Sequence, residues 1–341
     1  MKLFHLIPFF LLNLLLAGCS QPHKSIINDG VIPLNLGSLE RCQSYNGLPK
    51  NWLSNSHAGM IYIPEGQLTL GSKQAYPDEY NFGKKQRHIP AFWIDQTEVT
   101  VAQFQSFVDS TDYKTDAEQQ NEAAVFSPNP DQPKQWWHLK KGYTWKTPNG
   151  PNKDLPHPSE PVRYITKKDA EHYAVWLGRD LPTELEWEYA AKAGTTEDST
   201  LEQQPINQTN QPLANYWQGE FPFNNLKLDH FEGVAPVGCF PANAFHLYDM
   251  IGNVWEWTKS PYKGPHDQHM GDYQGLRIQQ YPTSSYVIKG GSYLCAQNSC
   301  ARYRNSSRHP QELDLATSHV GFRTVLRSNN ITQIDIIQDL P

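Results

Sequence analysis

The sequence predicts short strands and short helices with much irregular structure, in one large domain or two small ones. Three observations carry this: short alternating apolar runs bounded by Gly and Pro, three helical faces each opened by a capping box, and long aromatic stretches between them. Ten Trp, 26 Pro and 22 Gly suit a loop-rich core pinned by large rings rather than long helices. The formal charge of −6, with Lys and Arg scattered, offers no basic face and argues against a nucleic-acid partner.

The first element is an export signal. Met1-Lys2-Leu3 is weakly basic, Phe4 to Leu16 is almost wholly apolar, and the run ends in Leu16-Ala17-Gly18-Cys19. It is too short to span a bilayer, and it closes on small residues as a cleavage site does. Those last four residues resemble the lipobox of bacterial lipoproteins, which makes Cys19 the lipidated first residue of the mature chain. An ordinary signal peptide with an incidental Cys is the blander reading. The division expected is therefore a signal peptide over 1–18, lipidated Cys19 with a polar tether to 56, a domain over 57–328 and a tail over 329–341. Lipidation implies a protein of the cell envelope, held to the membrane and facing the periplasm. Ser20 lacks the Asp that commonly retains such proteins at the inner membrane, which favours the outer one.

The domain opens with Gly59-Met60-Ile61-Tyr62-Ile63, a Pro64-x-Gly66 turn and Gln67-Leu68-Thr69-Leu70-Gly71-Ser72, a pattern that reads as a hairpin. Phe92-Trp93-Ile94 is a further strand. Thr100-x-x-Gln103 opens a helix with Phe104, Phe107 and Val108 on one face. Thr166-x-x-Asp169 opens a second, with Ala170, Tyr173, Ala174 and Leu177 inward and Gly178 as its stop. Thr183-x-x-Glu186 opens a third, presenting Trp187, Ala190 and Ala191 before Gly194. The long stretch between the first two helices holds Trp136, Trp137 and Trp145, and a loop of that length is functional or wraps the core. His138, His172, His266 and His269 share no ligand spacing and read as solvated or core residues.

With Cys19 set aside, Cys42, Cys239, Cys295 and Cys300 remain, and four thiols allow three pairings. Cys295 and Cys300 lie in Gly290-Gly291-Ser292-Tyr293-Leu294-Cys295-Ala296-Gln297-Asn298-Ser299-Cys300-Ala301-Arg302-Tyr303-Arg304. Their spacing is roughly 16 Å on a strand or roughly 140° apart on a helix, so neither lets the sulfurs meet. A turn at Gln297-Asn298 does, giving a disulfide or a two-thiolate site for a soft metal such as Cu(I). Spacing alone favours the disulfide in an exported protein. A structural zinc site wants four ligands, and no second pair completes one.

This segment resembles the active-site stretch of the formylglycine-generating, or sulfatase-modifying-factor, enzymes: Gly-Gly-Ser, two residues, Cys, four residues, Cys, then Arg-Tyr-Arg. The likeness extends through Gly59-Met60, Phe92-Trp93-Ile94-Asp95-x-x-Glu98-Val99-Thr100, Leu181-Pro182-Thr183-Glu184-x-Glu186-Trp187-Glu188 and Ala214-Asn215-Tyr216-Trp217-Gln218-Gly219. It continues with Leu247-Tyr248-Asp249-x-x-Gly252-Asn253-Val254-Trp255-Glu256-Trp257 and Ser318-His319-Val320-Gly321-Phe322-Arg323. The resemblance implies that family's fold, a single α+β domain of C-type-lectin-like topology. It also implies a copper- and oxygen-dependent oxidase that converts a Cys in an unfolded sulfatase-type peptide, bearing Cys-x-Pro-x-Arg, to Cα-formylglycine. Cys295 and Cys300 would hold Cu(I) as thiolates, the substrate thiol would join them, and Ser292 would supply an active-site hydroxyl. A turn residue after two glycines is the alternative reading of Ser292.

By the same resemblance, two structural Ca²⁺ sites are expected. One uses Asp249 and Glu256 with the carbonyls of Gly252 and Val254; the other uses Asn215 and Asp229 with the carbonyls of Tyr216 and Phe231. Hard oxygen donors on loops suit Ca²⁺, while plain packing in a Trp-rich core is the alternative. Two departures stand out: Ser299 precedes the second Cys where the family usually has Tyr, and His309-Pro310-Gln311-Glu312-Leu313-Asp314 replaces an Asn-Thr-Pro-Asp-Ser segment. A second functional class is a non-catalytic envelope lipoprotein of the same family, with Cys295 and Cys300 disulfide-bonded and the groove binding a partner. An oxidase of a small exported metabolite ranks third.

Overall fold

The structure is a computed structural model, and it describes residues 33–72, 75–80, 86–132, 135–195, 200–266 and 284–327. The signal peptide, Cys19, Ser20, His269 and the 329–341 tail lie outside the described residues. Among those described, no helix is long and apolar enough to cross a membrane.

In chain order the elements are α1 (Leu39–Ser44), β1 (Met60–Ile63), β2 (Gly66–Thr69), a 3₁₀ turn (Pro77–Glu79), β3 (Gln86–Ile89), β4 (Phe92–Asp95), α2 (Val101–Thr111), α3 (Asp116–Gln120), β5 (Glu122–Phe126) and β6 (Trp137–Lys141). They continue with α4 (Lys167–Trp176), α5 (Glu184–Lys192), β7 (Gly219–Glu220), β8 (Asn224–Asn225), β9 (Trp255–Pro261), β10 (Ser285–Lys289), β11 (Arg308–Glu312), β12 (Val320–Gly321) and β13 (Val325–Arg327). One sheet runs β1-β4-β13 and another β11-β10-β9-β12; β2-β3, β5-β6 and β7-β8 form separate pairs.

All three expected helices form, and each starts on its Thr. Thr100 Oγ1 accepts from the Gln103 N–H at 3.1 Å while Gln103 Oε1 accepts from the Thr100 N–H at 2.9 Å, and the Thr166 and Thr183 boxes repeat the reciprocal pattern. Their apolar faces are the core: Phe104, Phe107, Ala170, Tyr173, Trp187 and Ala190 are all buried. Phe104 stacks on Tyr173 and meets Trp145 edge-on, which seals α2 against α4 under the long aromatic stretch.

The hairpin expected over residues 59–72 is corrected. Both strands exist, but β1 pairs antiparallel with β4 and β2 with β3. The Pro64-Glu65 link does not fold β2 back on β1, because the Tyr189 hydroxyl of α5 donates to Pro64 O and holds the link against the helix. Each strand then finds its partner in the later β3–β4 segment.

The expected tether is corrected as well, from residue 34 onward. Leu34 N–H donates to Gln96 Oε1 at 2.7 Å, Gly37 N–H donates to Gly238 O at 2.7 Å, and Leu36 is buried. Cys42 and Cys239 form a disulfide across 197 residues. Composition suggested a free strap; backbone hydrogen bonds and the cross-link make it part of the domain.

Candidate active site

The thiol loop leaves β10 through Gly290 and Gly291 and returns on itself. At Gly291 the backbone φ is +80°, and a Cβ would stand 2.5 Å from Arg302 O, so only glycine lets the two limbs approach. Ser292 then starts a tight turn in which Cys295 N–H donates to Ser292 O at 2.9 Å. Cys295 O accepts from Trp217 N–H at 2.9 Å, which ties the backbone at the first thiol to the Trp217 segment, while the Cys295 side chain packs in the core cluster that holds Tyr216, Ala301 and Tyr303.

This turn brings the two sulfurs to 3.9 Å, and both cysteines are free. Cys295 is 2% exposed and Cys300 only partly covered. Burial, then the neighbouring Cys300, pushes the Cys295 thiol well above its ordinary value. Cys300 is pulled the other way, first by the hydrogen bond from Cys295 and, against its own burial, by the Arg302 guanidinium. The two sulfurs together are a soft donor set that fits Cu(I). Ser292 is fully buried, but its backbone N–H makes the contact to Cys295 Sγ, at 3.4 Å. Its hydroxyl oxygen accepts from Leu294 N–H, as a turn residue's does.

A short segment far away in sequence closes the site. Tyr76 OH accepts from Ala301 N–H at 3.1 Å, both Asp78 oxygens accept from Arg302 at 2.9 Å, and Glu79 accepts from Arg302 at 2.8 Å and from Arg304 at 2.5 Å. The Arg302 guanidinium lies 4.4 Å over the Tyr76 ring. Sequence reading missed Tyr76, Asp78 and Glu79, and nothing in their local pattern marks them.

The loops expected to hold calcium lie just behind the thiol loop. Asp249, Glu256 and Glu98 are buried together, and the Glu98 carboxyl meets that of Asp249 in a side-chain hydrogen bond. Glu256 is paired with Arg323 at 2.7 and 2.8 Å and accepts from Trp187 Nε1 at 2.7 Å. Asp249 accepts from Gly238 N–H. Burial, followed by the charges of Asp249 and Glu256, pushes the Glu98 carboxyl well up; burial ahead of Glu256 pushes Asp249 up to about 6. Three carboxylates against one guanidinium leave two negative charges in excess when ionised, a burden that an oxygen-liganded divalent cation at Asp249, Glu256 and the nearby loop carbonyls would offset.

The second set is less open. Asp229 accepts from Tyr216 N–H, Phe231 N–H and the Gln218 amide, which also donates to Tyr216 O. The Gln218 nitrogen thus stands between two of the expected ligands, and a cation there displaces it. Asn215 Nδ2 donates to Gly233 O and to Asn253 Oδ1. Among the described residues, no group of three or more His, Cys, Asp or Glu forms a metal-holding cluster by itself, so either site depends on its loop carbonyls. The His residues do not converge: His172 Nδ1 donates to Lys168 O and His266 pairs with Glu184.

Asn253 joins these parts. It is fully buried with φ +53°; its N–H donates to Asn215 O, its Oδ1 accepts from Ala235 N–H, and its O accepts from Tyr293 N–H in the thiol loop. Next to it, Gly252 has φ +79°, and a Cβ there would sit 2.2 Å from Asn215 O.

The Sulfatase-modifying factor enzyme 1-like domain family matches residues 46–328. The chain belongs to that family. It is 39% identical over 295 residues to Formylglycine-generating enzyme from Mycobacterium tuberculosis, spanning 78% of this chain and 97% of that one. It is also 32% identical over 279 residues to Inactive C-alpha-formylglycine-generating enzyme 2 from Mus musculus, spanning 77% and 84%. Among solved structures it is similar to PvdO from Pseudomonas aeruginosa, with a TM-score of 0.55, 20% identity and coverage of 79% and 94%. That likeness concerns the fold, and the α+β formylglycine-generating-enzyme fold expected from the sequence is the fold observed.

Proposed function

We propose that this protein is a copper-dependent oxidase that converts a Cys in an unfolded sulfatase-type peptide, bearing Cys-x-Pro-x-Arg, to Cα-formylglycine. The observation that carries the reading is the pair of free thiols 3.9 Å apart inside the family's framework. Cys295 and Cys300 would hold Cu(I), and the ion supplies an open position for the substrate thiol and for oxygen. The protein's own part is to bury Cys295 in the main core, which excludes bulk water from it, and to hold Cys300 as its partner. In the overall reaction the substrate CH₂–SH gives up two electrons and two protons, and a reductant supplies two of each. Oxygen takes all four electrons and leaves as water; hydrolysis of the resulting thioaldehyde gives the aldehyde and hydrogen sulfide.

Calcium would be structural, at Glu256 and Asp249 and at Asp229 and Asn215. Lipid attachment at Cys19 would hold the enzyme at the cell envelope, facing the periplasm. The test is mass spectrometry of a Cys-x-Pro-x-Arg peptide incubated with the protein, Cu(I), oxygen and a reductant. Copper-dependent exchange of the thiol for an aldehyde is expected, and Cys295→Ser or Cys300→Ser should abolish it in a folded protein. Retained turnover in both variants sinks the reading.

A second reading has its own support. The similarity to a relative named inactive, together with Ser299 beside Cys300, favours a peptide-binding envelope protein without turnover. Copper binding with no product, but with saturable peptide binding, would select it.

A further inference from the structure

We propose that residues 76–79 are a positioning clamp that sets where Cys300 stands relative to Cys295, and so sets the affinity of the thiol pair for a soft monovalent cation. The inference rests on the proposed function only in taking the thiol pair as a metal site.

Cys295 is placed by its own loop: the turn from Ser292 and the backbone bond from Trp217 define it. Cys300 has local bonds on either side, but they do not reach outside its own loop. Ser299 N–H donates to Ala296 O at 3.2 Å, and Arg302 N–H returns to Cys300 O at 2.8 Å. The long-range bonds on the three residues after Cys300 run mainly to the 76–79 segment, more than 220 residues away. Tyr76 fixes the backbone at Ala301. Asp78 grips Arg302 with both oxygens, a forked geometry that allows little rotation. Glu79, fully buried, bridges Arg302 and Arg304. The 3₁₀ turn itself is braced, because Arg308 Nη1 donates to Asp78 O at 3.1 Å.

Two sulfurs bind one ion together only if both are held in reach. Outer residues that orient metal ligands change affinity by about 10–100-fold when removed. Tyr76→Phe deletes one oxygen and should weaken Cu(I) binding about 10-fold; Asp78→Asn should weaken it toward about 100-fold. Arg327→Lys disturbs a comparable ion pair with Glu186 and Asp180 elsewhere in the molecule and should leave affinity unchanged.

The experiment is anaerobic titration of the reduced full-length protein with Cu(I) against a chromophoric Cu(I) chelator, with melting temperatures recorded alongside. Weaker binding in Tyr76→Phe and Asp78→Asn, but not in Arg327→Lys, supports the clamp, and Tyr76→Phe keeps the test valid if Asp78→Asn folds poorly. Wild-type affinity in Tyr76→Phe, or equal weakening in Arg327→Lys, overturns it and leaves the proposed reaction standing. Clamp-dependent copper binding without formylglycine would remove the reaction and keep the clamp. No Cu(I) binding by the wild type overturns both.

Discussion

Replacing Glu98 by Gln should change stability with opposite sign in the presence and absence of calcium. Glu98 is fully buried beside Asp249 and Glu256, and its carboxyl meets that of Asp249. Without a cation it is a burden, since one guanidinium faces three carboxylates. Gln keeps nearly the same volume and cannot ionise, so Glu98→Gln in chelator should be at least as stable as the wild type. With calcium at a hundred times its dissociation constant, the wild type gains about 2.7 kcal/mol by mass action. For a domain of roughly 280 residues that is a rise of about 5 °C. If Gln weakens the site a hundredfold, the same calcium concentration gives the variant only about 0.4 kcal/mol. Thermal unfolding in chelator and across a calcium titration reads both numbers. A variant that melts lower than the wild type in chelator, or that gains as much from calcium, would refute the assignment and make Glu98 an ordinary core residue.

Other expectations follow from the same geometry. Burial raises Asp249 to about 6, so its proton stabilises the metal-free fold; that contribution is full below the unfolded value near 4 and is lost as pH rises through 6. The melting temperature of the metal-free protein should therefore fall between pH 4 and 6, and a profile that rises across that window contradicts the coupling. Cys42→Ser with Cys239→Ser opens a loop of 197 residues, for which chain entropy sets an upper bound of about 5 kcal/mol. Denaturant unfolding should show a loss of several kcal/mol, and a loss near zero would mean the strap is held by its hydrogen bonds alone. Asn253→Ala removes the side-chain bonds to Asn215 and Ala235 in a fully buried setting and should cost about 2–4 kcal/mol. If Asn253 also steadies the thiol loop through Tyr293, the variant should lose Cu(I) affinity too, measurable in the same chelator competition.

What the sequence made legible was local. Thr100, Thr166 and Thr183 announce their helices because a capping box satisfies backbone groups within four residues. The same signal at Thr115-x-x-Glu118 opens α3 and was there to be read. The turn between Cys295 and Cys300 was also legible, since two thiols at that spacing meet in no regular element. Pairing was not: β1 and β2 look like one hairpin until Tyr189, over a hundred residues later, is known to hold their link. The clamp on Cys300 and the buried carboxyl of Glu98 were invisible for the same reason. Each is defined by a contact across 150 residues or more, and neither leaves a local trace.

The disulfide between Cys42 and Cys239 has a consequence for how this protein must mature under oxidising conditions. Of the six single disulfides that the four thiols of the domain can form, Cys42–Cys239 alone leaves both Cys295 and Cys300 reduced; each of the others consumes at least one of them. The chain therefore faces a kinetic choice during folding, because Cys295 and Cys300 are neighbours in sequence and Cys42 must wait for Cys239 to be made. Early oxidation gives a folded molecule without its reactive pair. A chain shortened past Cys42 fares no better, since Cys239 becomes an odd thiol free to attack. The yield of competent protein is thus a race between thiol exchange and folding, and it should respond to the redox buffer during refolding more than to temperature.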